Sequence, residues 1–141
     1  MTDINPRRLA GALLASACGI RTLEAGTGLL IDCGSWLHRQ DFTSRFITTT
    51  ATSISDGVTL LAGTDWEAAV TALRAGELQA SGGERRMLLL AASIAGGIPV
   101  SLNDTLTGID RRNASLVVNA IAHATGLPDP NQETDKRYLN G

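Results

Sequence analysis

Residues 81–126 read SGGERRMLLLAASIAGGIPVSLNDTLTGIDRRNASLVVNAIAHATG, and the spacing within them decides the fold. Ser81 and Glu84 stand three apart just ahead of an apolar run, the pattern in which a hydroxyl and a carboxylate cap each other's backbone N–H. From Met87 to Ile94 only Ser93 is polar, so the pattern predicts a buried central helix rather than a surface one. Gly96 and Gly97 supply a left-handed terminator, and Pro99 forbids continuation. Ser101 or Asn103 then caps a short helix to about Thr107, closed by Gly108. Asp110 caps a third helix that runs to Gly126. Along that third helix Ala114, Val117, Val118, Ile121 and Thr125 or Ala124 predict a core stripe. Arg112, Ser115, Asn119 and His123 gather on the opposite side.

Long helix, glycine turn, short helix, tight turn, longer helix: the order and spacing resemble the helix-turn-helix family. The resemblance implies that the last helix enters the major groove of duplex DNA, with Arg reading guanine and Asn reading adenine. Carried over position by position, it makes Arg111, Arg112, Ser115, Asn119 and His123 the DNA-binding residues.

Charge offers that reading thin support. The chain has a net charge of −2, and residues 81–126 carry four arginines against Glu84, Asp104 and Asp110. Phosphate neutralisation supplies most of the affinity of DNA-binding domains, which usually show a clear basic patch. At 141 residues the chain fits one domain and buries a real core without staples. Hydrophobic residues make up 43% of it and aromatics only 4%, so that core is built from Leu, Ala, Val and Ile.

Upstream, Asn5-Pro6 is a helix start, a cap followed by a first-turn proline. The run RRLAGALLASAC that follows also has the outline of a short export signal, but its apolar part is brief and Asp3 lies in the basic region. Between 22 and 39, Leu23, Gly26, Leu30, Cys33 and Leu37 alternate three and four apart, predicting a helix whose glycines admit a close neighbour. The competing element is a strand at GLLIDCG. TTTATSI and VTLLA flank Ser55-Asp56-Gly57, so residues 47–62 are read as either a β-hairpin or a threonine-rich loop. Thr64 and Glu67 form a second apparent capping box, opening a helix to Arg74 with Trp66, Val70 and Leu73 on one face. After Gly126, LPDPNQETDKRYLNG has two prolines and no periodicity and reads as a mobile tail.

Several strings resemble enzyme motifs without their partners. LLIDCG is similar to a strand of metallo-β-lactamase folds and to the phosphate turn of actin-like ATPases. SGGE is similar to the ATP-binding-cassette signature. The chain has no H-x-H-x-D-H, no G-x-x-x-x-G-K-[ST] and no G-x-S-x-G. His38 is read as a helix-end partner of Asp41. Cys18 and Cys33 have no metal-site spacing and read as small buried hydrophobes in a reducing, cytoplasmic setting.

The sequence therefore predicts a mainly α, single-domain bundle of five or six helices at 1–126, with a helix-turn-helix-like end and a tail at 127–141. It predicts no catalytic residues, no metal, no cofactor and no membrane partner. Two functions are expected on nearly equal terms. One is a DNA-binding or regulatory module. The other is a helical protein-interaction module, meeting a protein partner or forming a homodimer through an apolar patch at Trp36, Phe42, Phe46 or Trp66.

Overall fold

The computed structural model describes residues 4–54 and 57–128. Apart from Leu127 and Pro128, the expected tail lies outside the described residues. The chain is mainly helical, with seven α-helices and one antiparallel hairpin among the described residues. In order these are α1 (Pro6–Ala17), α2 (Arg21–Asp32), a 3-10 turn (Trp36–His38), α3 (Gln40–Phe46), β1 (Ile47–Ile54), β2 (Gly57–Thr64), α4 (Trp66–Arg74), α5 (Gly82–Gly96), α6 (Leu102–Leu106) and α7 (Arg111–Thr125).

Helix α5 is the hub, as its apolar run requires. Met87 through Ala92 are buried all the way round, and α2, α4, α6 and α7 pack on it. Its start is the capping box read from the sequence: Glu84 N–H donates to Ser81 Oγ at 3.1 Å and Ser81 N–H to Glu84 Oε1 at 2.9 Å. Gly97, at φ +70°, ends it in the left-handed region. Gly82 and Gly108 leave room for the Arg86 guanidinium, which lies 3.2 Å from where a Cβ would stand on either.

The periodic stretch at 22–39 does not remain one helix. Gly34 turns left-handed at φ +85°, α2 stops at Asp32, and the chain re-forms as the 3-10 turn and α3. The GLLIDCG strand is therefore absent: these residues complete α2. The break sends Trp36 and Phe42 to full burial with their rings 5.0 Å apart, and Phe46 stacks on Phe42 at 5.6 Å. Trp36 Nε1–H donates to the Glu84 carbonyl at 3.0 Å, fastening this cluster to the start of α5. The aromatic docking patch anticipated from sequence is thus interior. Trp36, Phe42, Phe46 and Trp66 are all buried, because a chain with so few aromatics spends them on its core.

The hairpin alternative at 47–62 is the one that forms, and it extends to Thr64. Ile47 pairs with Thr64 and Thr50 with Leu61, while α1 covers β2 and Ser16 Oγ accepts the Ala62 N–H at 3.0 Å. The Asp65 N–H still bonds the Phe46 carbonyl at 2.8 Å, so α4 starts one residue later and its cap is Asp65, whose carboxylate accepts from Ala68 N–H at 3.1 Å. The Thr64–Glu67 box does not form. Nor does the His38–Asp41 pair: Arg39 lies over the Trp36 ring and takes Asp41 with two bonds of 2.6 and 3.0 Å. Among the described residues no helix is long and apolar enough to cross a membrane.

Candidate functional site on the two faces of the last helix

Asp110 begins α7, accepting from Asn113 N–H at 2.7 Å, and Gly126 at φ +81° ends it. Its first turn holds Arg111 and Arg112 and no acid, an unfavourable choice at the positive end of a helix dipole. Helix α6 rests on α5, whereas α7 lies along α2 and more lightly along α5.

The inward stripe is Val117 and Ala120, with Leu116 and Ala124 beside them. Val118 and Ile121, expected in the core, are each 50% exposed. Periodicity had merged two stripes: one faces α2, and the other faces outward.

The five residues named as DNA readers divide between these faces. Arg111 and Ser115 are exposed on the outside. Arg112, Asn119 and His123 run along the edge that meets α2, so they do not stand together as a free reading surface. Arg112 Nη2 donates to the Asp32 carbonyl at 2.9 Å, satisfying an orphan acceptor at the negative end of α2. His123 Nε2 lies 2.8 Å from Glu24 Oε1 and donates when its N–H sits on Nε2. The other Glu24 oxygen accepts from Gly19 N–H at 2.9 Å. That backbone bond, followed by His123, holds the Glu24 carboxyl below its ordinary range.

Between α1, α2 and α7 this edge borders a cleft of about 360 Å³. Leu29, Leu116, Ala25 and Ala120 give it apolar walls, Leu14 and Cys18 stand at the α1 side, and Glu24, Asp32, Asn119 and His123 supply the polar atoms. Cys18 is exposed here rather than buried, and its thiol is free, as is that of Cys33. Gly28 lies in the cleft lining, and among the described residues nothing stands within 4 Å of where its Cβ would be. Asp32, the last residue of α2, is at the rim. Partial desolvation pushes its carboxyl up, against the opposing pull of Arg112.

A second cleft of about 560 Å³ lies where α5 and α7 begin. Its polar groups are occupied: Ser81 and Glu84 with each other, Asp110 with Asn113, and the Cys33 thiol with the Leu30 carbonyl. Among the described residues no group of three or more His, Cys, Asp or Glu side chains could hold a metal ion.

Sequence reasoning missed Glu24, Gly28 and Cys18 as cleft residues. The signal available was the i, i+4, i+8 spacing of Glu24, Gly28 and Asp32 along one side of α2. Comparison of the chain with protein-family models, curated proteins and solved structures finds no match.

Proposed function

We propose that the chain is a non-enzymatic protein-interaction module that pairs with a second copy of itself through the outer stripe of α7. The spacing of that stripe carries the reading. Arg111, Ala114, Val118, Ile121 and Thr125 recur at alternating steps of three and four, the a/d repeat of a two-helix seam. Among the described residues nothing requires this stripe to be apolar, since Val117 and Ala120 already face the core.

The stripe is also self-complementary. With two copies antiparallel about a two-fold axis, Val118 of each meets Ile121 of the other, and Ala114 meets Thr125. Arg111 then falls beside the helix end that Gly126 closes, the negative end of the neighbouring helix's dipole, where that copy's Arg21 guanidinium already lies. A helix about 22 Å long buries little by the standard of stable complexes, so a weak dimer is expected. The reading assumes the cytoplasm, where free thiols such as Cys18 stay reduced.

Sedimentation equilibrium across a concentration series tests it. The mass rises toward that of a dimer, and Val118→Asp or Ile121→Asp holds it at the monomer without lowering Tm, because both side chains are half exposed. A wild-type mass that stays monomeric at every concentration rejects the reading.

The second reading is duplex DNA binding. It is favoured by Arg111 and Ser115, exposed in the first half of α7, where a recognition helix makes its base contacts. Binding to random duplex DNA that falls steeply with salt, and less steeply in Arg111→Ala and Arg112→Ala, would support it. No binding at low salt removes it.

A further inference from the structure

We propose that the cleft between α1, α2 and α7 binds a small amphipathic amine, its ammonium at Asp32 and its alkyl chain over Gly28. The site uses the inner edge of α7 and is independent of pairing through the outer stripe.

Two features of the cleft work against folding, and both make sense if something occupies it. The first is Gly28. It lies inside α2, where glycine is the poorest choice after proline, and the open space at its missing Cβ means that no neighbour among the described residues requires it. What the absent side chain preserves is the cleft itself, floored there by backbone and walled by Leu29, Leu116 and Ala120. The second is Asp32. A carboxylate at the last residue of α2 faces the negative end of its own helix dipole. Among the described residues no donor reaches that carboxylate; Arg112 bonds the backbone carbonyl instead.

The charge pattern selects the ligand. Glu24 has both oxygens engaged, one by Gly19 N–H and one by His123, so that end of the cleft is already satisfied. Asp32 lies eight residues on, about 12 Å along the helix at 1.5 Å per residue. An anion entering the cleft would meet two carboxylates. A cation with an apolar tail meets a hydrophobic wall and a carboxylate that, among the described residues, Arg112 offsets through space without a hydrogen bond, and Leu14, 44% exposed at the edge, is available to cover the tail. A cleft of about 360 Å³ is of small-molecule size.

The test uses n-hexylamine as probe, with hexanol and hexanoate as its neutral and anionic counterparts. Because Cys18 lines the cleft and is exposed, its rate of alkylation by N-ethylmaleimide reports occupancy without relying on stability. The amine should slow alkylation saturably and raise Tm, hexanol should act about tenfold more weakly for want of the charge-assisted contact, and hexanoate should not act. Gly28→Leu, which fills the cleft, should abolish protection. Asp32→Asn, at the rim, should leave the fold intact and bring amine and alcohol to parity, and it decides the matter if Gly28→Leu does not fold. The proposal is overturned if the wild type shows no saturable protection by the amine. It is equally overturned if folded Gly28→Leu is still protected, or if Asp32→Asn keeps the preference for the amine.

Discussion

Helix α2 meets its two largest neighbours in opposite ways. Toward α5 it is closed: a Cβ on Gly26 would fall on the Ala95 methyl and lie 2.6 Å from the Ala91 carbonyl oxygen. Toward α7 it is open: among the described residues a Cβ on Gly28 would touch nothing within 4 Å. The two glycines are two residues apart in one helix and equally costly to helix formation in isolation. Gly26 is compensated by the close approach of α5, which brings Leu29 and Leu30 against the buried run of the hub. Gly28 receives no such return from packing. A glycine whose cost the fold does not offset points to a surface kept free for something else.

The largest effect that should break or sharpen this contrast is at the closed face. Gly26→Val forces atoms against a backbone carbonyl that cannot swing aside, and should cost about 3 kcal/mol or more, with a fall in Tm on the order of 10 °C. Thermal unfolding followed by circular dichroism measures it. A Tm within a degree of wild type would mean that α2 and α5 are not in close contact.

At the open face the sign reverses. Gly28→Ala should stabilise the chain by about 0.5–1 kcal/mol, since alanine favours the helix and restricts the unfolded chain. Urea unfolding at matched temperature checks it, and a destabilised variant would show that the space above Gly28 is not there.

The smallest effect is at the polar end of the same open face. The Glu24 carboxyl is held below its ordinary 4.5 by Gly19 N–H and His123. A depressed folded value means stability that is present above the unfolded value and lost as pH falls through the folded one. Glu24→Gln should therefore be less stable than wild type near neutral pH, and the two should converge in acid. Parallel stability curves between neutral pH and pH of about 3 would show that the bond does not persist in solution.

Much of this architecture could be read locally. The Ser81–Glu84 box, the Asn5 and Asp110 caps and the Gly97 and Gly126 terminators are short-range events, complete within a few residues. The apolar girth of α5 likewise leaves no polar side to expose, so its central place follows from composition alone. Where reading failed, a neighbour had decided. Thr64 lost the cap to Asp65 because the Asp65 N–H stays bonded to the Phe46 carbonyl and the helix starts one residue later, and Asp41 went to Arg39 because that guanidinium was already anchored over Trp36.

The candidate site was the least legible part for the same reason. Periodicity reports that α7 is apolar at Val117, Val118, Ala120 and Ile121, but a helix with two adjacent apolar stripes does not say which one its partner will choose. Likewise Gly26 and Gly28 are identical as letters. The sequence by itself determined the helices, their caps and the hub, because hydrogen bonding and side-chain period act along the chain. Only the tertiary structure decided which stripe of α7 is buried, which glycine of α2 is filled and where Arg112 and His123 find their partners. Those outcomes depend on surfaces brought together from residues about a hundred positions apart.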